Sequence, residues 1–541
     1  MKRVLVVAVA LALIFSSNPA GAELLKNFHL SGQIDVQATS ANNVLDFATR
    51  QNSAVLTNGG KLVGVACGGV GQPTCATTNN DRIGTAQTRL MLHMDWDLLD
   101  DVHSHVTLSK NDRDYGTAGG GNPHGSVTNV QTLTTPGGTD VLGNVFVDEA
   151  YFKVDKVAGQ VDTTLGRQFY GDAGDIVIYY GPSDKAWYGM PVSAIDAARF
   201  DWNSEWLAAT GLVAKQKGAA VGGVAAADVD VRGLNLLFKG NDNFHASFYG
   251  WNKVTHATGA LGTPPAGAGG AGGGGKNDNL YLIGLKAKIQ GGGFWLKGEF
   301  DQNVGDNRLI AGVTDDANFA VARHYEGWAT MLNGGYKVED DNVGMFGFWG
   351  EYTVGSGASS TKESKNDGFV SINGDYRPGS IYGRFAADPG GAGGAAGLGS
   401  GLYNSVNVGD SAAANSFVSS SNLNNRVIWG TGIKMSPAVA NKLTLAFSWW
   451  DYRMQRFANI PNAPAPYQGN RHIGSEFDID AIWAHSENVA FATGWGTFQP
   501  GGLIQEAAQN SGGGASAPAS AGSGQPVDPI MLAYFDVRVK F

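Results

Sequence analysis

The chain has 541 residues, of which 79 are glycine and 10% are aromatic, and its formal net charge is −10 at pH 7. An acidic chain without basic tracts has no general attraction for nucleic acid, so a nucleic-acid partner is not expected. The length would ordinarily indicate about three domains. No compositional break resembles a domain linker, however, because Gly- and Ser-rich stretches recur along the whole chain.

The N-terminus predicts export. After a Lys-Arg start comes an apolar run of twelve residues, Val4 to Phe15, and Ala20-Gly21-Ala22 then fits a cleavage site with small residues. A membrane anchor is the alternative, but twelve helical residues rise only about 18 Å, short of the roughly 30 Å hydrocarbon core. Residues 1–22 are therefore predicted to be a signal peptide and residues 23–541 a single mature domain.

Strict alternation of apolar and polar residues follows, most clearly in segments 28–38, 89–97 and 473–483. One face of each segment is mainly apolar, and the other carries mainly polar or charged side chains. Such alternation over about ten residues indicates a β-strand with one apolar and one polar face, long enough to cross a bilayer when tilted.

The two cysteines, Cys67 and Cys75, lie in a Gly-rich stretch between such segments. In an oxidising compartment they are predicted to form a small disulfide that closes a loop. No histidine is near them in the sequence, so a metal site is not expected there. No motif indicates a cofactor.

Short turn signals and long connections alternate along the chain. The turns are predicted at 98–101, 156–159, 203–204, 240–242, 291–292, 340–341, 436–441 and 486–487. The long connections are placed near 40–84, 111–143, 170–193, 217–228, 254–278, 303–324, 354–425, 454–470 and 499–528.

This rhythm predicts an all-β fold, a transmembrane antiparallel β-barrel of about 18 strands. Its short turns would be periplasmic and its long loops extracellular, in the outer membrane of a Gram-negative bacterium. The alternative is a secreted soluble β-sandwich or β-helix, whose strands would be shorter and less regularly connected.

The last segment ends on an aromatic residue. Met531, Ala533 and Phe535 begin an apolar face, which is opposite Tyr534 and its polar neighbours. The segment resembles the terminal signal that barrel-assembly machinery recognises, with these residues predicted to form it: Tyr534, Val537, Val539 and Phe541.

Five segments resemble the alginate-export family of outer-membrane porins. Residues 148–153, 165–172 and 195–200 are similar to the family's "E-A-Y", "G-R-Q…Y-G-D" and "F-D-G-x-R" succession, and residues 473–480 and 494–501 to its "I-G-x-E-x-D" strand and "G-Y-x-x-F-x-P-G" ending. The resemblance implies an 18-stranded barrel. The chain departs from it at Ala197-Ala198, where the family has glycine, and alginate as the substrate does not follow.

Charged residues on the polar faces are predicted to line a pore. They are Arg89, Glu149, Lys153, Arg167, Arg199, Asp201, Lys297, Glu299, Glu476, Asp478 and Asp480. The family match places Arg167 inside, although local alternation is ambiguous there. The alternative for any single residue is that its charge only keeps the lumen hydrated. The mixed signs favour small or zwitterionic solutes, or sugars, over a long polyuronate.

Passive diffusion of small hydrophilic solutes or oligosaccharides is the predicted function. Alternatives are an exopolysaccharide secretion channel, or a sheath around a partner such as an electron-transfer cytochrome. Outer-membrane lipids, small polar solutes and periplasmic or oligomeric partners are expected. The connection 354–425 is either a plug that narrows the lumen or a surface loop.

An enzyme is not predicted. The glycine pattern at 267–272 has no following helix, and zinc-protease, haem-attachment and nucleophile-elbow motifs are absent from the sequence. The histidines are dispersed, although His93, His103 and His105 would approach one another across a hairpin. No metal site is expected overall.

Overall fold

The segments that alternate in polarity form the wall of a closed antiparallel β-barrel in the computed structural model of this chain. The structure describes residues 26–43, 56–57, 61–62, 83–114, 145–184, 190, 192–217, 228–256, 277–307, 323–357, 365–385, 423–456, 470–505 and 528–541. The predicted signal peptide 1–22 and the predicted disulfide between Cys67 and Cys75 lie outside these residues, and both stay predictions.

Eighteen long strands make the wall, numbered in chain order: β1 Lys26–Asn42, β2 Ile83–Leu99, β3 Val102–Asp114, β4 Phe146–Val157, β5 Val161–Gln168, β6 Ile195–Asn203, β7 Leu207–Lys217, β8 Val229–Asn241, β9 Phe244–Thr255, β10 Asp278–Gly291, β11 Phe294–Asn307, β12 Trp328–Asp340, β13 Gly344–Gly355, β14 Arg426–Pro437, β15 Leu443–Arg453, β16 His472–Ala484, β17 Val489–Pro500 and β18 Ile530–Lys540.

Shorter elements complete the described secondary structure. They are the strands Leu56–Thr57, Lys61–Leu62, Tyr170–Gly171, Tyr179–Tyr180, Arg323–Tyr325 and Lys365–Asn366, the helix Ile381–Phe385 and the 3₁₀-helix Ala438–Ala440. No helix in the described ranges is long and apolar enough to cross a bilayer.

Every long strand pairs with its neighbour in the chain, and β1 pairs with both β2 and β18. The ring is therefore closed. Closure satisfies the hydrogen-bonding groups that an open sheet edge would expose to lipid. The predicted all-β fold and strand number are confirmed.

Eight turns of two to five residues join strand pairs at one end of the barrel, at the positions that the turn signals predicted. Gly292 and Gly293 show how one turn is made: their φ angles of 57° and 86° are the left-handed values that a two-residue type I′ hairpin requires. The nine connections at the other end are longer, from 11 residues between Lys217 and Val229 to 70 between Gly355 and Arg426.

The two faces of the wall differ in polarity. Paired residues on adjacent antiparallel strands point to the same side of a sheet. The outward face exposes large apolar side chains around the ring, such as Phe248, Leu285 and Phe348, each more than half exposed. Exposure of that extent is unusual for a protein in water and suits a surface covered by lipid acyl chains. The fold is that of a transmembrane β-barrel.

The buried apolar core lies inside the barrel, where two connections enter the lumen. Residues 170–184 form the first inward segment and residues 365–385 the second. Ile176, Phe369 and Phe385 from these segments are fully buried and pack in one cluster with side chains of the wall. The described part of the long connection 354–425 is thus a plug rather than a surface loop.

Candidate functional site

Ten of the eleven residues predicted to line a pore share the inner face. The strand register pairs each of them with another inner residue, as it pairs Arg89 with Asp35 and Glu299 with Lys286. The ten are Arg89, Glu149, Lys153, Arg199, Asp201, Lys297, Glu299, Glu476, Asp478 and Asp480. Contact between these side chains and a solute stays a prediction.

Arg167 lies on the other face, contrary to the prediction. The register pairs it with Ala150 and Asp196 on the outward side, while its neighbour Gly166 pairs with Tyr151 on the inner side. Its guanidinium group donates two hydrogen bonds to Asp196, at 2.9 and 3.0 Å. The local alternation, which grouped Arg167 with Leu165, was ambiguous, and the strand register places Arg167 on the side that the family resemblance did not indicate.

The residues predicted as an assembly signal lie at the seam between the last and first strands. Val537 and Val539 face outward, opposite Val36 and Ile34. Phe541 exchanges two backbone hydrogen bonds with Gly32, at 2.8 and 3.0 Å. Tyr534 faces inward and donates to Asp480. Recognition by assembly machinery stays a prediction.

Arg89 is the centre of a charge network at this seam. Its side chain is fully buried and contacts Asp35 at 2.7 Å and Asp184 of the first inward segment at 2.9 Å. Arg538 contacts the same two carboxylates, also at 2.7 and 2.9 Å. Removing one partner from a buried charge network typically destabilises a protein by about 3–5 kcal/mol. The network therefore fixes the first inward segment to the wall.

A second charged cluster attaches the same segment across the barrel. Lys286 on β10 bonds to Asp175 of the first inward segment and lies 3.2 Å from Glu299 on β11. Tyr249 donates a hydrogen bond to Glu299 at 3.0 Å and another to Asp301 at 2.6 Å. Three carboxylates on the inner side of the barrel thus share the positive charge of one lysine and the hydroxyl group of one tyrosine.

The acidic row on β16 holds the second inward segment. Glu476 accepts backbone N–H groups from Ser380 and Ile381, both at 2.6 Å, and from Tyr382 at 3.0 Å. Tyr382 stacks on Tyr452, with ring centroids 4.1 Å apart. Hydrogen bonds to a carboxylate are stronger than neutral ones, so this contact is a firm anchor.

The same segment also bonds to two other strands of the wall, β11 and β13. Asn303 on β11 both donates to the Val370 carbonyl oxygen and accepts its N–H group, at 2.9 and 2.8 Å. Tyr376 donates to Glu351 on β13. Burial, together with the Glu351 carboxylate, raises the pKa of the Tyr376 hydroxyl well above its usual range, so this donor keeps its proton.

The two inward segments meet inside the lumen. Tyr179 donates its N–H to the Asn373 carbonyl oxygen at 2.7 Å, and Asn373 donates its own N–H to Val177 at 2.9 Å. The Asp375 N–H donates to the Asp175 carbonyl oxygen at 2.8 Å. Because each segment is also bonded to the wall, together they form a partition across the barrel.

Two further inner cations, Arg199 and Lys153, are also paired. Arg199 lies 2.7 Å from Asp201 and close to the Tyr170 ring. Lys153 contacts Asp155 at 2.7 Å and Asp162 at 3.2 Å. The inner charges of mixed sign that the sequence predicted thus form local ion pairs at these positions of the described wall.

Three tryptophans form a stripe on the inner face of β11, β13 and β15, separated by glycines on β12 and β14. A Cβ atom at Gly335 would lie 3.1 Å from the Trp295 ring, one at Gly432 2.7 Å from Trp349, and one at Gly430 2.3 Å from Trp450. Each indole therefore covers a glycine of an adjacent strand. Trp295 and Trp349 are half-buried. We call Trp295, Trp349 and Trp450 the indole stripe.

Polar groups accompany the indole stripe. Trp349 and Trp450 contact each other, with ring centroids 5.2 Å apart. Asn333 on β12 donates a hydrogen bond to Glu351 on β13 at 2.5 Å. β13 carries Trp349, and β12 lies between two strands of the stripe. Apolar ring faces beside fixed polar groups are typical of sites for polar organic ligands.

Sequence reasoning gave a plug as one of two alternatives for the connection 354–425, but it did not find the first inward segment, the contacts of the partition or the indole stripe. Asp175, Asp184 and Asn373 lie in connections without periodicity, so nothing in their local pattern indicated the lumen. For the stripe, the signal available was a tryptophan on each of β11, β13 and β15 together with glycines on the strands between them, but it becomes visible only when the register is known.

No protein-family model and no curated protein matches the chain. Among solved structures, the outer-membrane protein OprD of Pseudomonas aeruginosa is 10% identical, with 96% of this chain and 94% of that chain covered and a TM-score of 0.46. OccK3 (OpdO) of the same organism is 8% identical, with 96% and 97% covered and a TM-score of 0.48. OccAB4 of Acinetobacter baumannii is 9% identical, with 97% and 100% covered and a TM-score of 0.45.

Proposed function

We propose that the chain is an outer-membrane porin of a Gram-negative bacterium that lets small hydrophilic solutes diffuse passively. The observation that carries this proposal is the closed ring with an apolar outer face and a polar inner face, narrowed by two segments that are bonded to its wall. Polar side chains on the inner wall hold the inward segments and also suit a lumen that contains water and solutes.

Two separate observations disfavour the two alternatives, the sheath and the secretion channel. A barrel that sheathes a partner protein needs an open lumen, whereas the inward segments occupy it and bond to strands from β1 to β18. A secretion channel for a long polyuronate needs an excess of basic groups on its path. Glu476, Asp478 and Asp480 instead form an acidic row. Membership of the alginate-export family therefore stays a prediction, and it has no support from a family match.

The indole stripe supports sugars among the small solutes. Aromatic rings carry negative charge on their faces, which attracts the polarised C–H groups of a sugar ring. Asn333 and Glu351 are placed to bond hydroxyl groups beside those faces. Trp349 is central in the stripe, since it pairs with Gly335 on one side and with Gly432 on the other.

The first test is liposome swelling with the purified mature protein and no added partner. We expect swelling in neutral solutes that falls steeply as their size rises from monosaccharides to oligosaccharides, because the partition limits the passage. Protein-free liposomes are the control. Absence of both swelling and single-channel conductance, restored only by a partner protein, would overturn the proposal and favour the sheath.

The second test addresses the sugar preference. Replacing Trp349 by Ala removes the central ring, and stacked aromatic contacts contribute about 0.5–1.5 kcal/mol, so block of single-channel current by a linear glucose oligosaccharide is expected to need roughly 2–10-fold more sugar. Trp495→Ala is the matched control, because Trp495 lies on the outward face. Equal effects of the two variants would exclude a sugar path along the stripe.

A further inference from the structure

We propose that His93, His105 and Glu149 bind a divalent transition-metal ion on the inner wall of the barrel. They lie on three consecutive strands, β2, β3 and β4. The register brings them together through Thr107, which pairs with His93 on one side and with Glu149 on the other. The proposal does not depend on which solutes cross the barrel.

The three side chains converge on one point. The nitrogen and carboxylate oxygen atoms that they offer all lie within 4.8 Å of one another. The buried Thr107 hydroxyl oxygen is 2.9 Å from His93 Nδ1 and 2.8 Å from both His105 Nε2 and Glu149 Oε2. His105 Nε2 is also 3.1 Å from Glu149 Oε2.

With a neutral His105, the protons available do not satisfy this cluster. Asp95 Oδ1 lies 2.5 Å from His105 Nδ1, so a carboxylate faces each nitrogen of the His105 ring. A neutral imidazole carries one N–H group, and its other nitrogen then presents a lone pair to a carboxylate oxygen. Thr107 brings a single proton for several acceptor atoms. The cluster therefore needs a positive charge near His105 Nε2, which either a second ring proton or a bound cation would supply.

A bound cation would complete the arrangement. Asp95 would accept the Nδ1–H group of His105, which fixes the Nε2 lone pair toward the ion, and a carboxylate behind a histidine ligand is a recurrent feature of metal sites. Glu149 is held as well, since its second oxygen accepts the Phe169 N–H group at 3.0 Å. Tyr151 stacks on the His105 ring with centroids 4.9 Å apart.

The donor set indicates the class of metal. Two imidazole nitrogens and one carboxylate suit Zn²⁺, Ni²⁺ or Cu²⁺, whereas Ca²⁺ and Mg²⁺ prefer oxygen ligands alone. Sequence reasoning had grouped His93 and His105 with His103. In the structure His103 instead bonds to Asp97 at 2.5 Å and to Asp155 at 3.1 Å, and Glu149 takes its place.

The test is titration of the detergent-solubilised, metal-free protein with ZnCl₂ by calorimetry. We expect one binding site in the wild-type protein. Binding should be lost in His105→Ala and Glu149→Gln, and weakened about 10–100-fold in Asp95→Asn, which keeps all three ligands. His103→Ala is the matched control, on the same strand and face, and should bind normally.

A spectroscopic readout covers variants that fold poorly. With one equivalent of Cu²⁺, the electron paramagnetic resonance spectrum of the wild type should show coupling to two ligand nitrogens, and that of His93→Ala to one. Absence of zinc binding by the folded wild-type protein would overturn the proposal and leave His105 as an imidazolium between its two carboxylates. Loss of binding in His103→Ala alone would also overturn it.

Discussion

Arg199 and Arg167 show how a single side chain's position depends on strand phase. The two arginines lie on strands that are adjacent to each other, and each bonds to an aspartate. Arg199 is 2.7 Å from Asp201, and Arg167 is 2.9 Å from Asp196. The register nevertheless places Arg199 inside and Arg167 outside. Since side chains alternate along a strand, an error of one residue in phase moves a charge from the lumen to the outer face.

This difference predicts unequal effects on ion selectivity. Replacing Arg199 by Gln leaves Asp201 in the lumen without its partner, so the reversal potential under a KCl gradient is expected to shift toward that of a cation-selective pore. Arg167→Gln is the matched control and should leave the reversal potential unchanged. Planar-bilayer recordings measure both, and an equal shift in the two variants would contradict the assignment of faces.

The second inward segment is the element that most changes the interior of the barrel. The sequence predicted a long connection but left open whether it enters the lumen, because residues 386–422 are dominated by small and polar residues without periodicity. The signal that was present is a group of large apolar residues. Phe369, Ile381 and Phe385 are fully buried in the structure. Large apolar residues within a connection indicate a segment that packs against something.

Loosening this segment should widen the channel. Glu476→Ala removes the acceptor of three backbone N–H groups, so we expect larger and noisier single-channel currents, with a smaller effect in Glu476→Gln, which keeps a neutral acceptor. Glu339→Gln, at an exposed ion pair with Lys337 near a turn, is the control. Unchanged currents in Glu476→Ala would show that the segment does not limit conduction.

For the whole molecule, sequence pattern was sufficient for the wall and insufficient for the interior. Period-two alternation and turn residues are local signals, and they predicted the eighteen strands and eight turns that the structure has. The partition depends on contacts between residues far apart in the chain, such as Tyr179 with Asn373. The proposed metal ligands likewise could not be grouped correctly without the strand register. The register places Glu149, rather than His103, in the group with His93 and His105.

The network around Arg89 has a consequence for assembly of the molecule. Asp35 belongs to the first strand and Arg538 to the last. Arg538 contacts both Asp35 and Asp184, and Asp35 also contacts Arg89. Before the last strand pairs with the first, Asp35 and Asp184 would lack Arg538, one of the two arginines that neutralise them. Arg89 is the other. Closure of the ring and attachment of the first inward segment are therefore energetically coupled, so that an unclosed ring would also hold that segment less tightly.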